Sequence, residues 1–449
     1  MKDMINNKFF LWAFIFSFNW INIGNALTLE DAIISGLQNS RELASSQQAW
    51  VAARESVFSS EGSSEFGLSY KGSGSFSRTN SGSGFKSSET YSNKITLSKD
   101  IYDFGKVGAN TTLSEIKLDL AYFSHKNTEQ SVILATAKAY LGVIKARREL
   151  RLNENNLRRI AAHVSAAELR ILEGTDTPTA LAEVSARYSR AEADKILSLA
   201  SLENAEDLFW KLTEINANEM MEIGELPVLV QNLPSSIVEA ANDAQKNNLS
   251  VKAAVASERA AAQTIVTTQT AQKPSVSILF SGIQGKTSDS LSVSLSFSAS
   301  LYDTKAVEAS LRETVADHSR ARIDLEEARA VAKLEARSAY RDWQAATTSL
   351  KAVKSEILAS RLAAEGVKSE VEFGLKTSLD MLDAEKNVSD AELRLVSAEH
   401  DKLLAGLTLS ASVGALMTEN LGLENIIEDL ESLQRPKKPV ESGYDDFHN

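Results

Sequence analysis

Two carboxylates, Asp380 and Asp383, are the side chains whose type and spacing point most directly to an action on charged molecules. Positions three apart on a helix share one face, so both acids would project from the same side. Carboxylates that converge in a narrow opening favour cations and hinder anions. The alternative is an ordinary acidic helix face in contact with solvent.

No comparable pattern of residues indicates catalysis or cofactor binding. The five histidines show no metal-ligand spacing with carboxylates. Gly105-Lys106 lacks the earlier glycine and the following Ser or Thr of a phosphate-binding loop, and there is no nucleophile elbow. The chain has no cysteine, which excludes disulfides, thiol catalysis and lipid attachment to a cysteine. We therefore expect no enzyme activity and no cofactor.

Charge and the N-terminal segment indicate where the protein acts. The net charge of -12 argues against a nucleic-acid partner. Residues 1–26 are predicted to be a signal peptide, with Lys2 and Lys8 near the start, an apolar stretch from Phe9 to Phe18, and small residues before position 27. An uncleaved anchor helix is the alternative. No later segment approaches the ~20 apolar residues of a transmembrane helix.

The chain repeats itself at an offset of about two hundred residues. Ile101-Tyr102-Asp103 returns as Leu301-Tyr302-Asp303, and Gly174-x-x-Thr177 returns as Gly374-x-x-Thr377. Upstream the offset is 208, so the eight extra residues fall in the Gly/Ser-rich stretch between the tyrosines at 70 and 91. A single duplication of this length predicts one architecture built from two similar halves.

Long helices are predicted after each of these repeats. No proline occurs between residues 27 and 177 or between 275 and 435, as long helices require. The stretches from Asp103 to Gly174 and from Asp303 to Gly374 would each form a helix about 105 Å long. Small and apolar residues at steps of four and three mark a seam facing another helix. That seam comprises Ala332, Ala336, Ala339, Trp343, Ala346, Leu350, Val353 and Ile357.

Four strands are predicted per chain, at about 66–79, 90–102, 275–283 and 290–302. Apolar residues alternate there with serines, as in Leu291 to Leu301, and each run has the length of a tilted strand that crosses a bilayer. A half-buried strand of a soluble sandwich is the alternative. Four strands cannot close a barrel, so three copies would supply twelve. The Gly/Ser-rich stretch 72–88 is interpreted as an extracellular loop.

Two stretches resemble the TolC-like outer-membrane channel-tunnel family of Gram-negative bacteria. They are Leu97-Ser98-Lys99-Asp100-Ile101-Tyr102-Asp103-Phe104-Gly105 and Phe373-Gly374-Leu375-Lys376-Thr377-Ser378-Leu379-Asp380-Met381-Leu382-Asp383-Ala384. The likeness extends from Leu27 to about Leu423. It implies a homotrimer in the outer membrane: an α+β membrane protein with a 12-stranded β-barrel in contact with lipid, continued by a periplasmic α-helical coiled-coil tunnel. A periplasmic adaptor (membrane fusion) protein and an inner-membrane ABC or proton-driven pump would dock at the helical tips.

The resemblance also implies roles for single residues. Asp380 and Asp383 would line the constriction, and Lys376 stands where a basic residue in some relatives helps to hold the tips closed. The matching partner on the first hairpin is Ala180, so Asp176 or Glu183 would have to substitute. Contact with the adaptor, or a purely structural turn, is expected for the tip residues Glu173, Gly174, Thr177, Phe373, Gly374, Leu375 and Thr377. Tyr102 and Tyr302 are expected to be anchors at the membrane interface.

These observations predict five segments and a channel function. The segments are the signal peptide 1–26, a first repeat 27–212, a linker 213–234, a second repeat 235–423 and a C-terminal segment 424–449 ending in a disordered tail. The predicted function is a passive outer-membrane conduit of a tripartite export system. Type I protein secretion is favoured because residues 405–416 resemble that branch and a lipidated N-terminus is missing. Multidrug efflux is the second possibility, and a non-transporting periplasmic scaffold or adaptor is the alternative from another class.

Overall fold

The chain folds as two halves with the same order of elements: two short helices, two strands and a long helical hairpin. The computed structural model describes residues 27–80, 82, 84–175, 177–217, 233–299 and 305–421. The first half contains α1 (Leu29–Asn39), α2 (Arg41–Gly62), β1 (Gly67–Asn80), β2 (Phe85–Tyr102), α3 (Lys106–Leu172) and α4 (Pro178–Thr213). The second contains α5 (Ile237–Asn247), α6 (Leu249–Thr270), β3 (Ser275–Gly285), β4 (Asp289–Ser298), α7 (Lys305–Glu372) and α8 (Ser378–Ser412).

Several predictions concern residues outside this described part. They are the signal peptide 1–26, residues 218–232 of the linker, Asp176, Tyr302 and the segment 424–449. Within the described part, none of the helices has the length and apolarity needed to cross a membrane.

Equivalent side chains make equivalent contacts in the two halves. The Tyr140 hydroxyl donates to the carbonyl of Leu27 at 2.9 Å, and the Tyr340 hydroxyl donates to the carbonyl of Ser235 at 3.1 Å. Each bond ties the start of a half to the middle of its long helix. The duplication seen in the sequence therefore extends to tertiary contacts.

The long helices are continuous, as predicted. Helix α3 has 67 residues and α7 has 68, which corresponds to about 100 Å each at 1.5 Å per residue. On α7 the seam residues Ala332, Ala336 and Ala339 are buried, and they pack in one cluster with Ala240 of α5 and Leu409 of α8. Alanine lets these helices approach closely, because its side chain adds little bulk between them.

The four strands form one antiparallel sheet in the order β1-β2-β3-β4. Its register places apolar side chains opposite one another, as in Leu68 with Leu97 and Phe280 with Val293. We call this side the apolar face: Leu68, Tyr70, Tyr91, Ile95, Leu97, Ile278, Phe280, Leu291, Val293, Leu295 and Phe297. The opposite side, the serine face, carries Ser69, Ser73, Ser75, Ser77, Ser92, Ser98, Ser277, Ser281, Ser290, Ser292, Ser294, Ser296 and Ser298.

The loop interpretation of residues 72–88 is wrong. Strand β1 continues to Asn80 and β2 already begins at Phe85, so most of this stretch is paired in the ladder. Glycine and serine usually indicate a loop. Here the hydroxyls belong to the serine face, where Ser75 Oγ lies 2.7 Å from Thr90 Oγ1, and the polar pairing satisfies them within the sheet.

A buried ion pair attaches the last described residues to α3. Lys126 Nζ lies 3.0 Å from Glu129 Oε2, and both side chains are almost completely buried. The other oxygen of Glu129 accepts from the Thr418 hydroxyl at 2.5 Å. Lys126 also reaches Glu419 at 3.2 Å.

We expect Glu129→Ala to destabilise the fold by about 3 kcal/mol, because the buried Lys126 would keep only Glu419, a half-exposed partner at 3.2 Å. The measurement is the thermal unfolding midpoint of the purified protein in detergent, followed by helical circular dichroism. Glu115→Ala on the exposed side of α3 is the matched control. Equal midpoints for the two variants would contradict this role of Glu129.

Candidate functional site

The candidate site lies at the tips of the two hairpins, where the turns have the same backbone geometry. Gly174 and Gly374 have φ of 74° and 73°, a conformation that glycine adopts without steric cost. Thr175 N donates to the carbonyl of Arg170 at 2.9 Å, and Leu375 N donates to that of Glu370 at 2.8 Å. These bonds satisfy carbonyls left open at the helix ends, and they confirm the predicted tip turns.

Threonine caps both returning helices, as predicted. Thr177 Oγ1 accepts from Ala180 N at 3.3 Å, and Thr377 Oγ1 accepts from Asp380 N at 3.2 Å. In the first hairpin, Pro178 follows the cap at the first helical position, where a missing N–H costs nothing. Ala180 therefore serves the cap through its backbone.

Asp380 completes the cap of the second hairpin. Its Oδ2 accepts from the Thr377 hydroxyl at 2.7 Å and from Thr377 N at 2.8 Å, so the two residues form a capping box. The hydrogen bond from the Thr377 hydroxyl, followed by that from its backbone, lowers the pKa of Asp380. This carboxylate is thus held in its ionised form at the start of α8.

Asp383 has a different environment, although it lies only three residues further on. Its Oδ1 accepts from Arg187 Nη1 of α4 at 2.6 Å. The contact joins the second hairpin to the first within one chain. One of the two predicted constriction acids is therefore part of a helix cap, and the other is paired with a cation of the neighbouring hairpin.

Lys376 contacts its own hairpin. Its Nζ lies 3.1 Å from Glu370 Oε2, at the end of α7. The predicted link from Lys376 to the first hairpin is absent from the described residues, and of the two substitute acids Asp176 lies outside them. In the part of the chain that the structure describes, the hairpins are joined at this level by Arg187, which the sequence analysis did not single out.

Further from the tips, α3 and α8 meet through polar side chains. His163 Nε2 donates to Glu385 Oε2 at 3.0 Å, and Arg148 Nη1 donates to Glu399 Oε2 at 2.7 Å. Arg159 bonds to Ser389 between these two contacts. We call these contacts the inter-hairpin seam.

A cavity of about 410 Å³ opens beside the inter-hairpin seam, between α3, α4 and α8. Its lining includes Arg187, Asp383, Glu385, Lys386 and Asp390. The hydrogen bond from His163 is the main cause that lowers the pKa of Glu385; burial opposes it, and the charges of His163, Arg159 and Lys368 reinforce it. No sequence pattern indicated that Arg187 pairs with Asp383 or His163 with Glu385, because the two residues of each pair lie more than 190 positions apart.

The tips also expose large apolar side chains. Phe373 is 81% exposed and Leu375 is 76% exposed, both in the turn of the second hairpin, and Leu172 at the end of α3 is 83% exposed. Glu173 lies next to Leu172 and is exposed as well. Exposed apolar residues in a rigid turn are typical of a protein interaction surface.

At the other end of the long helices, Tyr102 lies on the apolar face of the sheet. A bulge between Asp100 and Tyr102 shifts the register, so that Tyr102 pairs with Val276. The ring also makes an edge contact with Phe104, with centroids 4.5 Å apart. Asp103 then accepts from Val107 N at 2.5 Å, and this bond is the main cause that lowers its pKa.

Comparisons with known proteins agree with this arrangement. The sequence profile of a family described as "Outer membrane efflux protein" matches residues 33–208 and 240–415. The outer membrane efflux protein BepC of Brucella suis is 25% identical over 344 residues, which cover 74% of this chain and 73% of BepC. The outer membrane protein TolC of Escherichia coli is 24% identical over 355 residues, 74% of this chain and 71% of TolC.

Solved structures show the same fold. The CmeC outer membrane channel of Campylobacter jejuni has a TM-score of 0.76 at 14% identity, covering 89% of this chain and 88% of CmeC. The open state of the MtrE outer membrane channel of Neisseria gonorrhoeae has a TM-score of 0.74 at 19% identity, and the match covers 87% of this chain and 90% of MtrE.

The inter-hairpin seam should make the stability of the fold depend on pH through Glu385. Its pKa in the folded state lies below the ordinary 4.5, so its stabilisation is present above pH 4.5 and is lost as the pH falls through the lowered value. We expect Glu385→Gln to unfold at a lower temperature than wild type at pH 7, with the difference disappearing in acid. Glu372→Gln, on the exposed end of α7, is the control. A difference that persists unchanged into acid would contradict this linkage.

Proposed function

Because the chain belongs to the outer membrane efflux protein family, we propose that it is the passive outer-membrane channel of a tripartite export system. The family consists of channel proteins rather than enzymes, which confirms the prediction that the chain is not an enzyme. The observation that carries the proposal is a sheet with one apolar and one hydroxyl-rich face, in a chain with two helical hairpins whose longer helices each extend about 100 Å. A periplasmic scaffold would have no use for such a sheet.

The proposal includes a homotrimer. In the order β1-β2-β3-β4 both β1 and β4 are edge strands, and an open edge is not tolerated in lipid. Successive strands are antiparallel, so β1 and β4 run in opposite directions and β4 of one copy can pair antiparallel with β1 of the next. Three copies close a barrel of twelve strands, with the apolar face toward lipid and the serine face toward the lumen.

The hairpins would then form the periplasmic tunnel, with their tips toward the inner membrane. We assign contact with a periplasmic adaptor protein to the exposed tip residues Glu173, Phe373 and Leu375. Gly174, Thr177, Gly374 and Thr377 shape the turns that present them. An inner-membrane pump, either an ABC transporter or a proton-driven pump, would supply the energy.

The constriction is proposed at Asp380 and Asp383, with Lys376 close by. Around a threefold axis these acids would place six carboxylates in one opening, which favours cations. Because Arg187 is bonded to Asp383 at 2.6 Å, it offsets part of this negative charge in each protomer. Asp380 keeps its charge, since its cap bonds stabilise the ionised form.

The cargo is proposed to be a protein exported by type I secretion, on the likeness of residues 405–416 to that branch. Multidrug efflux is the second candidate, and the name of the relative BepC, an efflux protein, favours it. The lumen does not discriminate between the two, because hydroxyl-lined walls accept many solutes.

Single-channel recording in planar bilayers tests the constriction. We expect wild type to form a cation-selective channel and Asp383→Asn to lower the cation-to-anion permeability ratio roughly twofold. Asp380→Asn should lower it too, and asparagine retains an acceptor for the cap. Arg187→Ala should act in the opposite direction, because it frees the Asp383 carboxylate.

Asp401→Asn, on α8 but far from the tip, is the control and should leave selectivity unchanged. If all variants conduct like wild type, the channel stands and the constriction lies elsewhere. If well-folded protein never inserts, the channel proposal itself is wrong.

Deletion of the gene in its host distinguishes the two cargo classes. We expect at least one protein to disappear from the medium and to return on complementation, while sensitivity to amphiphilic drugs stays the same. The converse result is increased drug sensitivity with an unchanged set of secreted proteins. It would contradict type I secretion and support multidrug efflux as the function.

A further inference from the structure

Two lysines on the serine face lie directly opposite each other. In the β1–β2 register, Lys71 pairs with Lys94. The neighbouring positions on the same face are hydroxyl pairs, Ser69 with Thr96 and Ser73 with Ser92. Like charges in direct cross-strand pairs destabilise a sheet, so this arrangement works against folding and calls for another explanation.

No acid in the described part of the chain pairs with these two lysines. Among the described residues, no carboxylate oxygen lies within 4.0 Å of either amine. Glu89 of β2 lies on the apolar face, opposite Phe76, and its Oε2 is 3.7 Å from Lys286 Nζ. Asp100 is on the serine face, six residues along β2 from Lys94 and opposite Ser277.

The serine face is therefore basic in a chain that is acidic as a whole. Its strand residues include three lysines, Lys71, Lys86 and Lys94, against the single acid Asp100. The net charge of the chain is -12. The basic character is thus a local property of this face.

Another lysine of β2 provides an internal comparison. Lys99 lies five residues after Lys94 in β2, so its side chain is on the other side of the sheet, the apolar face, where it is paired with Ile278. Its Nζ is 4.6 Å from the centre of the Phe66 ring, a cation–π contact that accounts for its position. Lys71 and Lys94 have no such partner among the described residues.

We propose that Lys71 and Lys94 form an anion-binding band inside the barrel, which attracts phosphate or carboxylate groups of material that crosses it. The inference rests on the proposed function, because it requires the serine face to line the lumen of a trimer. Three copies place six lysines at one height, and rings of lysine favour anions in pores. The duct would then carry charges of opposite sign at its two ends, acidic at the helical tips and basic in the barrel.

The band should be most effective at low salt. The Debye length is about 30 Å at 0.01 M but about 10 Å at 0.1 M, so at low salt the field of the six amines extends across the lumen. Hydroxyls flank the two lysines along β1 and β2, and Ile283 of β3 lies opposite Lys94. The flexible amines can donate directly to an anion that approaches the wall.

The test compares wild type with Lys71→Gln/Lys94→Gln in planar bilayers at about 10 mM KCl, where screening is weak. The probe is inorganic tripolyphosphate, added to the barrel side. We expect the double variant to shift the reversal potential toward cations. The concentration of tripolyphosphate that halves the current should rise at least about tenfold, because the variant removes both amines and the loss of one charge-assisted hydrogen bond already corresponds to about that factor.

Lys99→Gln is the control: it removes one lysine charge from the same strand as Lys94 but on the apolar face, and should change neither quantity. Wild-type channels with the same selectivity and block as the double variant would overturn the band but leave the channel proposal in place. An equal effect of Lys99→Gln would also overturn it. Failure of folded wild type to form channels would remove both proposals.

Discussion

The structure depends on one constraint: in lipid, every backbone N–H and C=O must be paired within the protein. A single chain offers an antiparallel sheet of four strands with β1 and β4 at its edges, which cannot meet this requirement alone. Closure with further copies, as in the proposed trimer, would meet it, and the antiparallel order would make the closing joins equivalent to those within the chain. In that proposal, the alternation of apolar residues and serines determines which face meets lipid.

The same constraint explains why the long helices begin where they do. Strand β2 ends at Tyr102, where the bulge brings that ring onto the apolar face, and Asp103 caps the first turn of α3. The chain changes from ladder pairing to helical pairing within four residues, since α3 starts at Lys106. Few backbone groups are therefore left unpaired at this junction, and in the proposed trimer the helices would continue the wall of the barrel.

Local patterns in the sequence were sufficient for the elements and the tips. The period-two alternation identified the strands, the absence of proline identified the helices, and Gly374 followed by Thr377 identified a turn and cap. Features that depend on register or on distant partners could not be read in this way. Composition suggested a loop at 72–88, although the ladder pairs most of it, and no local signal connects Arg187 with Asp383 or places Lys71 opposite Lys94.

The chemistry of the hairpin contacts sets what can move. Within the second hairpin, α7 and α8 share an apolar cluster of Leu350, Val353 and Ala398, whose separation would expose apolar surface to water. Between the hairpins, the inter-hairpin seam is built from polar contacts, including partly exposed ion pairs such as Arg148 with Glu399. Such pairs contribute little net free energy, because water solvates the separated charges well. Each hairpin is therefore expected to behave as a stiff unit, and relative movement near the tips should occur between hairpins rather than within them.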